Sequence, residues 1–126
     1  RDVAASFVSK SFGPRDVFAA LDAWRDRMLE AHRAELACPP GRFHRVDLHA
    51  LSVTERQETL AALLDAIDVA PDRRMSEWFD SHVLPQQAHI GRWRRDYDEA
   101  TAARIDARYD EILAELDAAG APYPRA

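Results

Sequence analysis

The spacing of apolar residues along the chain predicts a mostly helical protein. Apolar positions recur every three or four residues in five segments, and Gly, Pro or a capping residue bounds each segment, as is typical of amphipathic helices. The segments are residues 2–12, 15–37, 52–68, 71–83 and 98–120. A sixth stretch, Phe43 to Leu48, alternates apolar and polar residues instead and predicts a short strand.

The segment from Arg15 to about Ala37 is the clearest of the predicted helices. Its apolar residues keep to one face and its charged residues occupy the others. Cys38-Pro39-Pro40-Gly41 then ends the helix, because Pro and Gly do not continue it. We interpret the apolar face, which includes Trp24 and Met28, as core rather than as a binding surface. Its residues are Val17, Phe18, Leu21, Trp24, Met28, Leu29 and Leu36.

Polar side chains predict where the other helices begin. Ser52-Val53-Thr54-Glu55 has the form of a capping box, and Asp98 is a candidate N-cap. Asp2 lies in a first turn, where a carboxylate suits the helix dipole. The predicted buried faces of the two middle helices are Leu60, Leu63, Leu64 and Ile67, and Met75, Trp78 and Phe79.

Composition and charge limit the classes of function. The 126 residues carry a net charge of -5 and one cysteine, Cys38, so general nucleic-acid binding has no support from overall charge and no intrachain disulfide can form. No apolar run approaches the roughly 20 residues of a membrane span, and no signal peptide opens the chain. These features favour a reducing, cytoplasmic setting. No shift in composition indicates a second domain.

Common catalytic and metal-binding motifs are absent from the sequence. The five histidines, His32, His44, His49, His82 and His89, include no pair at i, i+4 spacing on one helix. There is no Gly-x-Ser-x-Gly elbow, which leaves a hydrolase unsupported, and no GxGxxG or GxxxxGK[ST] loop. Of the histidines, His89 alone lies beside a cluster of arginines and is a candidate for ligand contact.

The strongest chemical signal is His89-Ile90-Gly91-Arg92-Trp93-Arg94-Arg95. Three guanidinium groups and a glycine suit a phosphate, and Trp93 or Phe7 could stack on a base. Ser6, in the second turn of the first helix and behind Arg1, is a second candidate for anion binding. Alternatively, Arg92 and Arg94 pair with surface carboxylates and Trp93 belongs to the core.

Three segments resemble a known family, the PAPS-dependent sulfotransferases. Arg1 to Ser6 is similar to the end of the segment Arg-(Asn/Asp)-Pro-x-Asp-Val-Ala-x-Ser, by which these enzymes hold the 3′-phosphate of the cofactor. Phe43 to Leu48 resembles a later strand of the form Val-Arg-Tyr-Glu-Asp-Leu. His89 to Arg94 resembles the Gly-Arg-Trp-Arg segment of bacterial members. The order and spacing of the three segments agree across essentially the whole chain.

The resemblance implies an α/β fold, in which residues 1–126 are the C-terminal part of a single P-loop-like sulfotransferase domain, mostly helical here with one strand. It implies transfer of a sulfuryl group from PAPS to a hydroxyl or amine acceptor, leaving PAP. The acceptor class, whether a small molecule or a lipid or carbohydrate, and the oligomeric state stay open. The cofactor-binding residues implied are Arg1, Ser6, Gly91, Arg92, Trp93 and Arg94, and no metal is expected.

Several features of the family are not found in this chain. Animal cytosolic members carry Arg-Lys-Gly where this chain has Gln86-Gln87-Ala88, so Arg92 or Arg94 would substitute. The lysine loop that grips the 5′-phosphosulfate, the phosphate-binding arginine and the usual base would all lie upstream of Arg1. We therefore expect the isolated segment to be inactive with PAPS and a phenolic acceptor. The alternatives are a non-enzymatic helical interaction module with an anion-binding arginine loop and, less favoured by charge, an RNA-binding protein.

Overall fold

The structure, a computed structural model, describes residues 1–9, 13–121 and 123, and its regular elements over these residues are helices. A π-helical turn, Ala50–Thr54, precedes α3, and a 3-10 turn, Pro85–Ala88, precedes α5. No helix in the described part of the chain is long and apolar enough to cross a membrane. The α-helices are α1 (Asp2–Ser9), α2 (Val17–Ala37), α3 (Arg56–Ala66), α4 (Arg73–His82), α5 (Arg92–Asp96) and α6 (Glu99–Ala118).

The predicted α/β fold is wrong, because no strand or sheet occurs over residues 1–9, 13–121 and 123. Residues 43–47, predicted to be a strand, have no regular secondary structure, and Leu48 begins a helical turn. A lone strand has no neighbour to satisfy its backbone groups. Asp47 instead accepts hydrogen bonds from the amides of His49, at 2.7 Å, and Ala50, at 3.2 Å, which turns the chain into helical geometry.

The predicted helices at residues 15–37, 71–83 and 98–120 are confirmed to within a few residues as α2, α4 and α6. The first helix, predicted to reach Phe12, spans Asp2–Ser9, and residues 10–12 lie outside the described residues. The predicted capping box is wrong. Glu55 precedes α3 without a side-chain cap, and the Ser52 hydroxyl donates to the carbonyl of Leu48 at 2.5 Å, because a π-helical turn occupies this position.

The chain divides into two compact units, which are described separately: a first unit of Arg1–Ala37 with Ile90–Ala126, and a second unit of Cys38–His89. In the first unit, α2 packs against α1 and α6, and α5 packs against α1 and α6. Trp24 and Met28 pack against this core, as predicted, whereas Leu36 is 74% exposed. The largest fully buried side chains are Leu21, Ile105, Ile112 and Leu116.

The second unit has a small core at the contact of α3 and α4. Leu60, Leu64 and Phe79 are buried, with Leu51 and Val83 packed against them. The Arg56 guanidinium lies 4.9 Å from the centre of the Phe79 ring and donates to the carbonyl of Val83, so it covers this core from one side.

The two predicted buried faces of the second unit are confirmed in part: Leu60, Leu64 and Phe79 are buried, but other members are exposed. Ile67 is 57% exposed and Trp78 is 58% exposed, and Met75 is also on the surface. Trp78 stacks on His82, one turn later on α4, with ring centres 4.6 Å apart. This unit therefore has more large apolar side chains than its small core buries.

Candidate functional site

The loop before α5 takes its shape from two residues in the left-handed region of backbone space. Gly91 has φ +72° and His89 has φ +50°. A Cβ at Gly91 would meet no atom within 4 Å, so the positive φ, and not close packing, is what favours glycine there. This glycine turns the chain into α5, and the amides of Gly91 and Trp93 point toward α1.

Asp2, on α1, accepts a hydrogen bond from each of these two amides. The Gly91 amide donates to Oδ2 at 2.8 Å and the Trp93 amide donates to Oδ1 at 3.1 Å, and both contacts are partly buried. The carboxylate thus binds the loop as an anionic ligand would, across 89 and 91 positions of sequence. We call this pair of hydrogen bonds the Asp2 clamp.

The Trp93 side chain belongs to the core of the first unit, as the alternative interpretation of the sequence held. It is 6% exposed. The guanidinium carbon of Arg94 lies 4.7 Å from the centre of its ring, and that of Arg1 lies 5.5 Å from it. Little of the indole is therefore exposed for stacking on a base.

The three arginines of the loop differ in what they contact. Arg92 pairs through Nε with Asp96 at 2.5 Å, one turn later on α5. Arg95 donates through Nη1 to the carbonyl of Ile90 at 3.2 Å. Arg94 is exposed, and the described residues place no carboxylate within ion-pair distance of it. Arg94 is therefore the loop arginine best able to receive an external anion.

Arg1 is tied into the same unit by α6. Its Nε lies 2.5 Å from Asp106, and its Nη2 donates to Asp110 at 3.4 Å. Its guanidinium also lies over the ring of Tyr109, at 4.3 Å from the centre. Two carboxylates and an aromatic ring already occupy this guanidinium, so Arg1 acts mainly as a link between α1 and α6.

Ser6 lies in the second turn of α1 and is partly buried, and its carbonyl accepts a hydrogen bond from the Ser9 hydroxyl at 3.1 Å. Phe7, the next residue, packs against the core of the first unit. Because α1 packs against α5, Ser6 and the arginine loop belong to the same side-by-side pair of helices.

The structure thus brings Arg1, Ser6, and Gly91 to Arg94 into one unit. His89 and the Gln86-Gln87-Ala88 segment belong to the second unit, where residues 85–88 form the 3-10 turn. Sequence reasoning missed the role of Asp2 in the site. It assigned this carboxylate to the dipole of its own helix, and no local pattern signals a contact with a loop so distant in sequence.

A serine next to a histidine in the second unit has the wrong geometry for a nucleophile. Ser81 Oγ lies 2.9 Å from His82 Nδ1, and Nδ1 lies 2.9 Å from the carbonyl of Trp78. A carbonyl oxygen can only accept, so Nδ1 carries the proton and cannot take one from Ser81. In the described part of the chain, no group of three or more His, Cys, Asp or Glu could hold a metal ion.

Comparison of the chain with protein-family models, with curated proteins and with solved structures gives no match. The resemblance of the three segments to sulfotransferases therefore stays a prediction, and the helical structure disagrees with the α/β fold that it implies.

Proposed function

We propose that this chain takes part in sulfuryl transfer from PAPS, with the α1 and α5 pair of the first unit binding the 3′-phosphate of the nucleotide. The main support for this proposal is a single observation. The two segments that resemble the cofactor-binding segments of sulfotransferases, Arg1 to Ser6 and Gly91 to Arg94, are far apart in sequence and are joined by the Asp2 clamp. The proposal rests on these segments and not on a shared fold.

Three side chains supply the chemistry that a phosphate needs. Arg94 offers an exposed guanidinium with no carboxylate partner among the described residues. Arg92 meets Asp96 through Nε, which leaves its terminal nitrogens outside that contact. The Ser6 hydroxyl adds a neutral donor. Charge-assisted hydrogen bonds from guanidinium to phosphate are among the stronger polar contacts in proteins.

These residues bind and orient the cofactor and do not break bonds. Sulfuryl transfer by in-line displacement needs positive groups that neutralise charge on the leaving phosphate. The arginines of α5 are suited to holding the 3′-phosphate. The reactive sulfate, at the 5′ end of the nucleotide, would then be presented to other residues. We therefore assign none of them as a catalytic residue.

Titration with adenosine 3′,5′-bisphosphate, followed by calorimetry, tests the proposal. We expect saturable binding, weakened about tenfold or more by Arg94→Ala, as loss of a hydrogen bond between charged groups costs about 1.5–3 kcal/mol. We expect a smaller loss for Arg92→Ala, because Asp96 already neutralises part of its charge, and a loss of similar or smaller size for Ser6→Ala. The matched control is Arg27→Ala, which removes the same charge from α2, where Arg27 pairs with Glu30 at 2.6 Å.

If the titration shows no binding of the nucleotide, the proposal is wrong and a non-enzymatic helical interaction module is favoured. That second candidate has its own support in the exposed apolar side chains of the second unit, among them Leu48, 70% exposed, and Trp78. Equal weakening by Arg94→Ala and Arg27→Ala would also count against a specific site, because it would show a response to net charge alone.

A further inference from the structure

We infer that Asp2 is a positioning residue for nucleotide binding: its clamp fixes the start of α5, and with it the direction in which Arg92 and Arg94 point. This inference rests on the proposed function and goes beyond it, because Asp2 would act through the loop without touching the ligand. The carboxylate uses both oxygens, each on a different backbone amide, so the loop is held at two points.

The clamp decides which groups of the loop remain for a ligand. The amides of Gly91 and Trp93 are the donors that an anion would otherwise meet at this turn, and Asp2 already occupies them. A phosphate must therefore be bound by side chains, and a guanidinium on a flexible stem binds well only if its backbone is fixed. The buried indole of Trp93, with the guanidinium carbons of Arg1 and Arg94 at 5.5 Å and 4.7 Å from its centre, also anchors the loop.

Two effects of Asp2 on a phosphate oppose each other, which makes the inference testable. As a nearby negative charge, the carboxylate repels the ligand, so removing the charge alone would tighten binding. As a clamp, it orders the loop, so removing it would weaken binding. The direction of the change therefore separates positioning from simple electrostatics.

The decisive variant is Asp2→Asn, which keeps the size of the side chain but replaces one acceptor oxygen by an NH2 group facing an amide N–H. The matched control is Asp110→Asn, which removes the same charge from a side chain that contacts Arg1 at 3.4 Å and makes no contact with the loop amides. For both variants, binding of adenosine 3′,5′-bisphosphate is measured by calorimetry, the Gly91 and Trp93 amide resonances by NMR, and foldedness by circular dichroism.

We expect Asp2→Asn to weaken nucleotide binding about tenfold, the size of effect that loss of one hydrogen bond to a charged group produces. The Gly91 and Trp93 amide resonances should move upfield, and these amide protons should exchange faster with solvent. Helix content should stay unchanged. Asp110→Asn should leave these resonances in place, and its affinity should be unchanged or slightly higher.

Tighter or unchanged binding by Asp2→Asn would overturn the positioning role while leaving the proposed function intact. Unchanged amide resonances in that variant would overturn the clamp itself. If the unmodified chain binds no nucleotide, the proposed function and the positioning role both fail. If Asp2→Asn loses helix content generally and its affinity for the nucleotide falls in proportion, Asp2 acts only in stabilising the fold. This result would also contradict the inference.

Discussion

At the scale of single residues, aspartates determine where this chain turns into helix. Asp72 accepts from the amides of Arg74 and Met75 at the start of α4, and Asp98 accepts from the amide of Thr101 at the start of α6. Both act on their own helix, so their role can be predicted from local sequence. Asp2 serves a distant loop, and Asp47 turns a predicted strand into helix. These four aspartates thus have three roles, and those of Asp2 and Asp47 depend on a distant loop or on the lack of a neighbouring strand.

Asp98 gives the stability of the first unit a defined dependence on pH. Hydrogen bonds from the backbone amide and the hydroxyl of Thr101 lower the pKa of Asp98 below its usual 3.8. A depressed pKa in the folded state means that the contribution to stability is present above pH 3.8 and is lost as pH falls through the folded value.

Urea unfolding of the wild type and of Asp98→Asn at pH 7 and at pH 3 measures this contribution. We expect the variant to be less stable at pH 7 and to lose less stability than the wild type on acidification, because its side chain does not ionise. Glu99→Gln is the control for the loss of charge, since Glu99 lies in the first turn of the same helix and no hydrogen bond to its side chain is found among the described residues. An equal loss of stability on acidification in wild type and Asp98→Asn would contradict the assignment.

At the scale of elements, α2 and α6 are joined by charge as well as by apolar contact. Arg108 on α6 donates to Asp22 on α2 at 2.6 Å and to Glu115 at 2.8 Å, and Arg25 on α2 donates to Glu115 at 2.9 Å. Hydrogen bonds from Arg108 and then from Arg25 lower the pKa of Glu115 below its usual value, and those to Asp22, Glu115 and Glu111 raise the pKa of Arg108. Networks of this kind contribute more than isolated surface pairs.

We expect Arg108→Ala to lower the free energy of unfolding by about 1–2 kcal/mol, because three carboxylates lose a shared partner whose side chain is 24% exposed. Arg27→Ala, which breaks one exposed i,i+3 pair, should cost less than about 0.5 kcal/mol. Denaturant unfolding at low and at high salt measures both values, and added salt should narrow the difference. Equal costs for the two variants would show that the network contributes no more than a single pair.

The helices of this chain could largely be predicted from sequence, but the lack of a strand at residues 43–48 could not. Alternation of Phe43 to Leu48 indicates an extended segment, but a strand forms only where a neighbour pairs with it. Periodicity also predicted burial of Ile67 and Trp78, whereas burial depends on what packs against a face and not on the face itself. The arginines of the candidate site were visible in sequence, but their partners, Asp96 for Arg92 and Asp106 for Arg1, required the structure.

At the scale of the whole molecule, the two units differ in how much core each has. The first unit buries residues from α1, α2, α5 and α6, and Leu21, Ile105, Ile112 and Leu116 are its largest fully buried side chains. The second unit buries Leu60, Leu64 and Phe79 and leaves several large apolar side chains exposed. Small domains with few buried side chains are marginally stable, because apolar burial must offset the entropy of ordering the chain. We therefore expect the second unit to open more readily than the first.

Hydrogen exchange measured by mass spectrometry tests this difference, with Leu64→Ala and Leu116→Ala as a matched pair of truncations. In the wild type, amides of α3 and α4 should exchange faster than those of α2 and α6, because opening of a small core costs less free energy. Each truncation should cost about 2–5 kcal/mol in the unit that contains it. Leu64→Ala should therefore abolish protection of α3 and α4 while α2 and α6 remain protected, and Leu116→Ala should affect mainly α2 and α6. If both variants lowered protection equally in all four helices, the units would unfold as one cooperative structure, and the thin core of the second unit would then be stabilised by the rest of the chain.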